Sequence, residues 1–335
     1  MEEYNMKLGI VGAGLIVRTL LEFIHELPEI ELVAISALPA DEPTLIRWKG
    51  EHGFRYTYLD YEKMLANEEI DTVYIGVNNH LHYRFAKLAL LAGKHVILEK
   101  PFTSNYRQAC RLKDIAEEKG LMIFEAISTV HNPNFIKIRE LVPSLGDIKI
   151  VTLNYTQYSS RYDAFMAGNI LPAFNYKMSG GALMDLNIYN IHFITELFGA
   201  PEDVHYIANM EKGVDTSGIL TLEYDSFQAV LIGAKDCGAP LLNCIQGNKG
   251  CIYTSSPMFT LTHFEYQLNK SEPVHYDLTN NAHRMKHEFI DFLKIFNEKD
   301  LTVNRKALQH SLDVMSVVTK ARKDIGLVFP DDENL

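Results

Sequence analysis

Lys7-Leu8-Gly9-Ile10-Val11-Gly12-Ala13-Gly14-Leu15-Ile16-Val17-Arg18 is the stretch whose reading decides the fold. Leu8 to Val11 is an apolar run of strand length, and Gly12-Ala13-Gly14 is a tight turn. Leu15 to Leu27 carries apolar residues at helical spacing, closed by Pro28. A strand, a Gly-x-Gly turn and a helix in that order open a dinucleotide-binding βαβ unit of the Rossmann type. Gly12 allows the sharp turn. Gly14, with no Cβ, lets the backbone approach a pyrophosphate over the helix N-terminus. Leu15 and Ile16, the first helical residues, join both glycines as cofactor-binding candidates. Val17 stands where the fingerprint has its third glycine. An ordinary turn between a buried strand and a helix would read the same way, so the rest of the chain must decide.

Working outward, residues 30 to 37 read as a second buried strand. In a Rossmann unit the end of this strand reads the adenosine ribose, where an Asp or Glu favours NAD. Ser36 falls there, followed by Ala37 and Leu38. No carboxylate repels a 2′-phosphate and no arginine attracts one, so both NADP and NAD stay open, with a lean to NADP. Residues 71 to 77 form a third apolar strand, followed by the polar loop Asn78-Asn79-His80-Leu81-His82 and a helix from about Tyr83 to Ala92. Lys94 to Leu98 is a strand that runs into Glu99-Lys100-Pro101; a helix from Tyr106 to Lys119 and a strand from Leu121 to Ala126 follow. This alternation predicts a doubly wound parallel sheet, with ligands at the carboxyl ends of its strands, where Asn78, Lys100 and Glu125 fall.

The pattern changes after Gly146. A strand from Ile148 to Tyr158, a helix from Gly181 to Phe198 and then strands over 218–224, 227–234, 243–246, 251–254, 259–266 and 274–278 predict an α+β region with a large, mostly antiparallel open sheet. From His283 the chain returns to helix, with another from about Arg305 to Ile325 and a frayed tail over the last five residues. The expected division is a Rossmann domain over 1–126, a substrate-binding and oligomerisation domain over 127–282, and C-terminal helices over 283–335 packing back towards the first domain.

The 335 residues include 32 Lys+Arg and 43 Asp+Glu, a net charge of −11. That leaves no basic excess to neutralise phosphates, so nucleic acid is not expected as a partner. No apolar run approaches the ~20 residues of a membrane span. The acidic start, Met-Glu-Glu-Tyr, precedes no signal-peptide core, and a cytoplasmic protein is expected. Cys110, Cys237, Cys244 and Cys251 are scattered and expected to be reduced, although Cys244 and Cys251 flank a hairpin turn.

At this point the chain resembles a family, the glucose–fructose oxidoreductase / inositol dehydrogenase / rhizopine-catabolism (Gfo/Idh/MocA) oxidoreductases, over roughly Lys7 to Pro330. Gly93-Lys94-His95-Val96-Ile97-Leu98-Glu99-Lys100-Pro101 is similar to its Gly-Lys-His-Val…Glu-Lys-Pro signature. Asn79-His80-Leu81-His82 resembles its Pro-Asn-x-x-His loop, with Asn78 replacing the proline. Gly180-Gly181-Ala182-Leu183-Met184-Asp185-Leu186-Asn187-Ile188-Tyr189 resembles its Gly-Gly-x-Leu-x-Asp-x-Gly-x-His/Tyr helix, with Asn187 replacing the glycine. Val130 stands where many relatives have arginine.

The resemblance implies hydride transfer between nicotinamide C4 and a secondary alcohol or carbonyl carbon of a small sugar, polyol or related hydroxy compound. It implies Lys100, Asp185 and Tyr189 as catalytic residues, with His131 and Tyr158 beside them as substrate contacts, and Asn78, Asn79, His82, Glu99 and Lys100 on the cofactor. Asp185 and Tyr189 are four apart, which puts them on one helix face. A free tyrosine, with a pKa of about 10, is a poor base near neutrality. A lysine ammonium within about 4–6 Å favours the phenolate, so Lys100 could activate Tyr189 while Asp185 orients the lysine or the substrate hydroxyl. The cleft between domains is then the expected active site, and His192 is the alternative base.

Other patterns read as structure. Tyr83-x-x-x-Lys87 has the spacing of short-chain dehydrogenases but comes too early in the chain. His80 with His82, and His283 with His287, lack further ligands at metal spacing, so no metal is expected. Two competing functions stand beside the dehydrogenase: a cofactor-binding regulatory protein without turnover, and an oxidoreductase that keeps its cofactor and shuttles hydride between two sugars. The second domain's sheet, with only one face covered by helix, is expected to form a homo-oligomer, a dimer or tetramer.

Overall fold

The computed structural model describes residues 5–332. Strands β1 (Met6–Val11), β2 (Ile30–Ser36), β3 (Tyr56–Tyr58), β4 (Thr72–Ile75), β5 (His95–Glu99) and β6 (Ile123–Ala126) form one sheet. Its order is β3-β2-β1-β4-β5-β6 and every pairing is parallel. The strand order reverses between β1 and β4, which is where a doubly wound sheet opens a crevice at its carboxyl edge. All four residues of β4 are buried, as both faces of such a sheet require.

The helix after the glycine turn is shorter than its apolar pattern predicts. It spans Leu15–Leu21; the chain leaves helical geometry at Phe23 (φ −124°) and makes a short 3-10 turn at Ile24–Glu26. Phe23 and Ile24 turn into the core instead, where the Phe23 ring meets Phe289 edge-on at 5.7 Å. The helix Lys286–Glu298 also supplies Phe292, 4.8 Å from the Phe124 ring.

Val17 has a specific accommodation. A Cβ on Gly76, just beyond β4, would lie 2.8 Å from Val17 Cγ2 and 3.0 Å from the Tyr74 ring. Gly12 (φ +122°) has the Gly76 carbonyl 2.3 Å from where its own Cβ would be. The helix reaches the sheet closely although its own fingerprint glycine is absent, because the facing strand carries the glycine.

The remaining strands are β7 (Ile148–Thr156), β8 (Asp203–Glu211), β9 (Val214–Glu223), β10 (Gln228–Ala234), β11 (Asn243–Gly247), β12 (Gly250–Thr254), β13 (Phe264–Leu268) and β14 (Val274–Tyr276). They form a second sheet in the order β14-β13-β12-β11-β7-β10-β9-β8, antiparallel throughout except where β10 runs parallel to β7. β8 has no counterpart in the sequence reading: it is an edge strand whose outward residues, Asp203, His205 and Ile207, mix charge with one isoleucine. The strand predicted from Phe259 begins only at Phe264. The reason is chemical: the carbonyls of Met258, Phe259, Thr260 and Leu261 accept from the side chains of Thr129, Ser128, Asn132 and Asn134, so they are not offered to a neighbouring strand.

Two compact units divide the chain: the residues up to Ala126 with Met285–Ser311, and Ile127–Arg284 with the residues from Leu312 on. The C-terminal segment 283–335 is therefore shared between the units rather than forming one block, and the helix Leu301–Asp324 contributes to both. Glu333 to Leu335 of the expected tail lie outside the described residues. Asp332, also expected to fray, pairs with the buried Arg322 at 2.8 Å in the turn Pro330–Asp332.

Gly76→Ala is expected to cost about 1–3 kcal/mol, since Val17 is β-branched and buried and gives way poorly. Val17→Ala should recover much of that loss. Denaturant midpoints of the two single variants and the double check this; additive losses would separate the two positions.

Candidate active site

The glycine turn presents the start of a helix. Gly14 is its N-cap residue (φ −83°, ψ −175°), and no side chain caps it. A Cβ built on Gly14 would meet no atom within 4 Å, while Leu15 beside it is 58% exposed. Backbone N–H groups at such a terminus favour an anionic group. The opening at Gly14 and the uncapped N–H groups therefore fit a pyrophosphate. Ser36 is placed differently from expectation. It is 1% exposed, and its carbonyl accepts the Gly12 N–H at 2.8 Å. Ala37 and Leu38 carry the first accessible side chains past β2, so they and not Ser36 would face a ribose.

On the neighbouring strands the polar loops are tied together. His82, 1% exposed, lies with Nδ1 2.8 Å from the Pro101 carbonyl oxygen and Nε2 3.0 Å from that of Val77. It thereby joins the loop after β4, which holds Asn78 and Asn79, to the loop after β5, which holds Lys100. Burial pushes the imidazole down to about 4, against the opposing pull of the two carbonyls. A neutral ring has one N–H, so it donates to one carbonyl at a time. Glu99 is 5% exposed: its carboxylate accepts from Tyr74 Oη at 2.6 Å and from the Lys100 N–H at 3.2 Å. These bonds hold the strand end that carries Lys100, whose peptide bond to Pro101 is cis. Lys94 and His95 of the signature also act within the fold. The Lys94 ammonium donates to the carbonyls of Asn67 and Ile70, and His95 Nδ1 accepts the Met122 N–H.

In the second unit, the predicted helix from Gly181 begins with a π turn, Leu183–Asn187, and continues as the α-helix Ile188–Phe198. Asp185 lies in the π turn and Tyr189 in the α-helix, so the regular four-residue spacing between them is modified locally. The buried Asp215 carboxylate accepts the Leu183 N–H at 2.7 Å and the Tyr206 hydroxyl at 2.9 Å; burial raises Asp215 to about 6. Asn187, in the place of a glycine, donates to the Leu231 carbonyl at 3.2 Å, and a Cβ on the facing Gly233 would lie 2.8 Å from its own. Tyr189 is 7% exposed, its ring beside the stacked pair Tyr155–Phe259, 6.1 and 5.7 Å from their centroids. Asp185 Oδ2 accepts from Lys235 Nζ at 2.8 Å. Lys235 was not legible: it follows a strand as an ordinary lysine would. His192 is fully buried, His131 half-buried, and Tyr158 is exposed with its hydroxyl donating to Asp163 at 2.6 Å.

Comparison with known proteins gives consistent findings. Residues 6–127 match the "Oxidoreductase family, NAD-binding Rossmann fold" and residues 135–252 the "GFO/IDH/MocA C-terminal domain". The chain is 31% identical to a scyllo-inositol 2-dehydrogenase (NADP(+)) of Bacillus subtilis, covering 98% of this chain and 99% of that one. It is 26% identical to the trans-1,2-dihydrobenzene-1,2-diol dehydrogenase of Bos taurus, covering 98% and 99%. A 3-ketoreductase from Actinomadura kijaniata, solved with NADP and TDP-benzene, superposes with a TM-score of 0.82 at 22% identity, covering 96% of this chain and 98% of that one. At that identity the likeness speaks for the fold.

His82 makes a pH prediction. Its folded pKa, about 4, lies below the ordinary 6.5. Between those values the unfolded chain binds the proton and the folded one does not. Stability from this group is full above about pH 6.5 and is lost as pH falls towards 4, by on the order of 3 kcal/mol. Guanidinium midpoints measured between pH 7.5 and pH 4.5 should show the fall, with a shallower slope in His82→Gln; equal slopes would contradict it.

Proposed function

This chain belongs to the Gfo/Idh/MocA oxidoreductase family, and on that premise we propose that it transfers a hydride between a nicotinamide dinucleotide and a small sugar, polyol or related hydroxy compound. The observation that carries the reading is the uncapped helix start at Gly14, open to an anionic ligand where the strand order of the parallel sheet reverses. Gly12, Gly14, Leu15 and Ile16 would hold the pyrophosphate, with Asn78, Asn79 and the His82-tethered loop beside them. NADP or NAD would supply the hydride acceptor or donor at nicotinamide C4. NADP is favoured by the absence of a carboxylate at Ala37 and Leu38 and by the inositol dehydrogenase relative, whose name specifies NADP(+).

Oxidation of a hydroxyl needs a group to take its proton and a charge to favour the alkoxide. Tyr189 is assigned the proton and Lys100 the charge. Asp185 orients the substrate hydroxyl, and His131 and Tyr158 contact the rest of the substrate. The likeness to dehydrogenases of an inositol and of a dihydrodiol over nearly the whole chain supports this class of substrate. The four cysteines are free, which suits a reducing, cytoplasmic setting. Among the described residues no helix is long and apolar enough to cross a membrane.

The second sheet supports a further part of the reading, a homo-oligomer. The helix Ile188–Phe198 covers the face that bears Val151, Leu153 and Leu231. The other face shows Ile150 at 47%, Ile207 at 77% and Ile219 at 47% exposure, with Val230 and Ile232 half-buried between them. A second copy of this chain is the occupant we assign to it.

The test of activity is a screen of purified protein against polyols and aldoses with each cofactor, read at the reduced-nicotinamide absorbance band. Lys100→Met and Tyr189→Phe should each lose about 10²–10⁴ in kcat, and the double variant little more. Gly14→Val should fold normally and lose cofactor binding; tight binding in that variant would remove the pyrophosphate from Gly14. If Tyr189→Phe stays active while His192→Ala does not, the base is the histidine.

For the assembly, light scattering at micromolar concentration should report a dimer or tetramer, and Ile207→Glu with Ile219→Glu should dissociate it. A monomeric wild type would leave the open face without the partner assigned here.

A further inference from the structure

Outside the residues that the family resemblance singles out, one tightly held charge in the second unit is the ammonium of Lys235, just past β10. The side chain is 3% exposed. Nζ donates to Asp185 Oδ2 at 2.8 Å and to the Ala173 carbonyl at 2.5 Å, and it lies 4.2 Å from the centroid of the Phe174 ring. Carboxylate, carbonyl and aromatic face together replace the water that a buried ammonium loses.

The Phe174 contact leads outward. Phe174 stacks on Phe165 at 4.8 Å and 21°, and with Val214 the two form a small core of their own. Lys212 sits over the Phe165 ring at 4.9 Å and donates to the carbonyls of Phe165 and Met166 at 2.5 and 2.9 Å. Two lysines therefore hold the segment that leads from β7 to the π turn, and one of them also holds Asp185. The other charges near Lys235 are Asp215, which its charge pulls towards the ionised form, and Asp236 on the adjacent residue.

Asp185 is a third exposed, so only the lysine of this pair is buried, and desolvating it offsets much of the attraction. The pair is an effective device for fixing a carboxylate in one orientation and one charge state. We propose that Lys235 is a positioning residue for the reaction: it keeps the Asp185 carboxylate ionised and aimed, and couples it to the Phe165–Phe174 segment. This rests on the reading of Asp185 as a member of the active site.

The experiment compares the holoenzyme with Lys235→Met and Lys235→Arg, measuring kcat and KM across pH on the best substrate of the screen, with melting temperatures alongside. Lys235→Met should lose about 10–10³-fold in kcat, with its acid limb moved up by about 1–3 pH units, the shift that an opposite charge within a few ångströms produces. Lys235→Arg keeps the charge and should keep the acid limb in place. In an Asp185→Asn background, Lys235→Met should add little further loss. A Lys235→Met enzyme with wild-type kcat and an unmoved acid limb overturns the inference. If that variant does not fold, the arginine variant decides: an acid limb displaced despite the retained charge overturns it, and one left in place supports it. A wild type that turns over no polyol or aldose overturns the proposed function itself, and this inference with it.

Discussion

A helix can approach a strand closely only if one of the two backbones lacks a Cβ at the point of contact, and this chain meets that constraint twice in an unusual sense. At Val17 and at Asn187 the helical side carries a side chain where the family patterns have glycine, and at each place the strand side carries the glycine, Gly76 or Gly233. At both places the strand side yields the space that the helical side chain fills. One contact sets the helix start over the reversal point of the parallel sheet, and the other seats the π turn that carries Asp185 against β10. A motif read residue by residue scores both positions as losses. The packing shows how each side chain is accommodated.

The first unit separates two kinds of signature residue. Lys94, His95 and Glu99 belong to the most recognisable run in the chain, yet their polar atoms are engaged with backbone or with Tyr74. They keep the strand ends in register. Lys100, at the edge of that arrangement, inherits a fixed position from them. A strong sequence signature is thus compatible with an architectural role for most of its members.

What was legible in the sequence follows from period and punctuation. The buried parallel strands read as apolar runs, the hairpin at Asp225-Ser226 joins β9 to β10, and the helix Tyr106–Lys119 has its cap residue Asn105 and its terminal Gly120. The misses arise where tertiary demands override a local pattern. Apolar spacing continues through Phe23 and Ile24, but core packing beside Phe289 ends the helix earlier. Residues 259–261 look like strand, but side chains more than a hundred residues earlier occupy their carbonyls. Ser36 falls where sequence spacing expects the ribose-reading residue, but it is buried. Lys235 has no local signal at all, because its partners, Asp185 and the Ala173 carbonyl, come from a different part of the chain.

The one parallel pairing in the second sheet has a consequence for how the chain reaches this state. β7 lies near the centre, yet both of its partners come much later in sequence: Ile150 pairs with Gln228 on one side and with Gln246 on the other. The outer strands, by contrast, are hairpins that close locally. During synthesis β7 therefore emerges with both edges open and stays so until β10 and β11 have followed. Non-local pairing of this kind is slow, and an unpaired strand edge attracts other chains. The centre of the sheet, its most protected part once formed, is then the part most exposed to misassociation beforehand, and crowded expression is the condition under which that would be felt first.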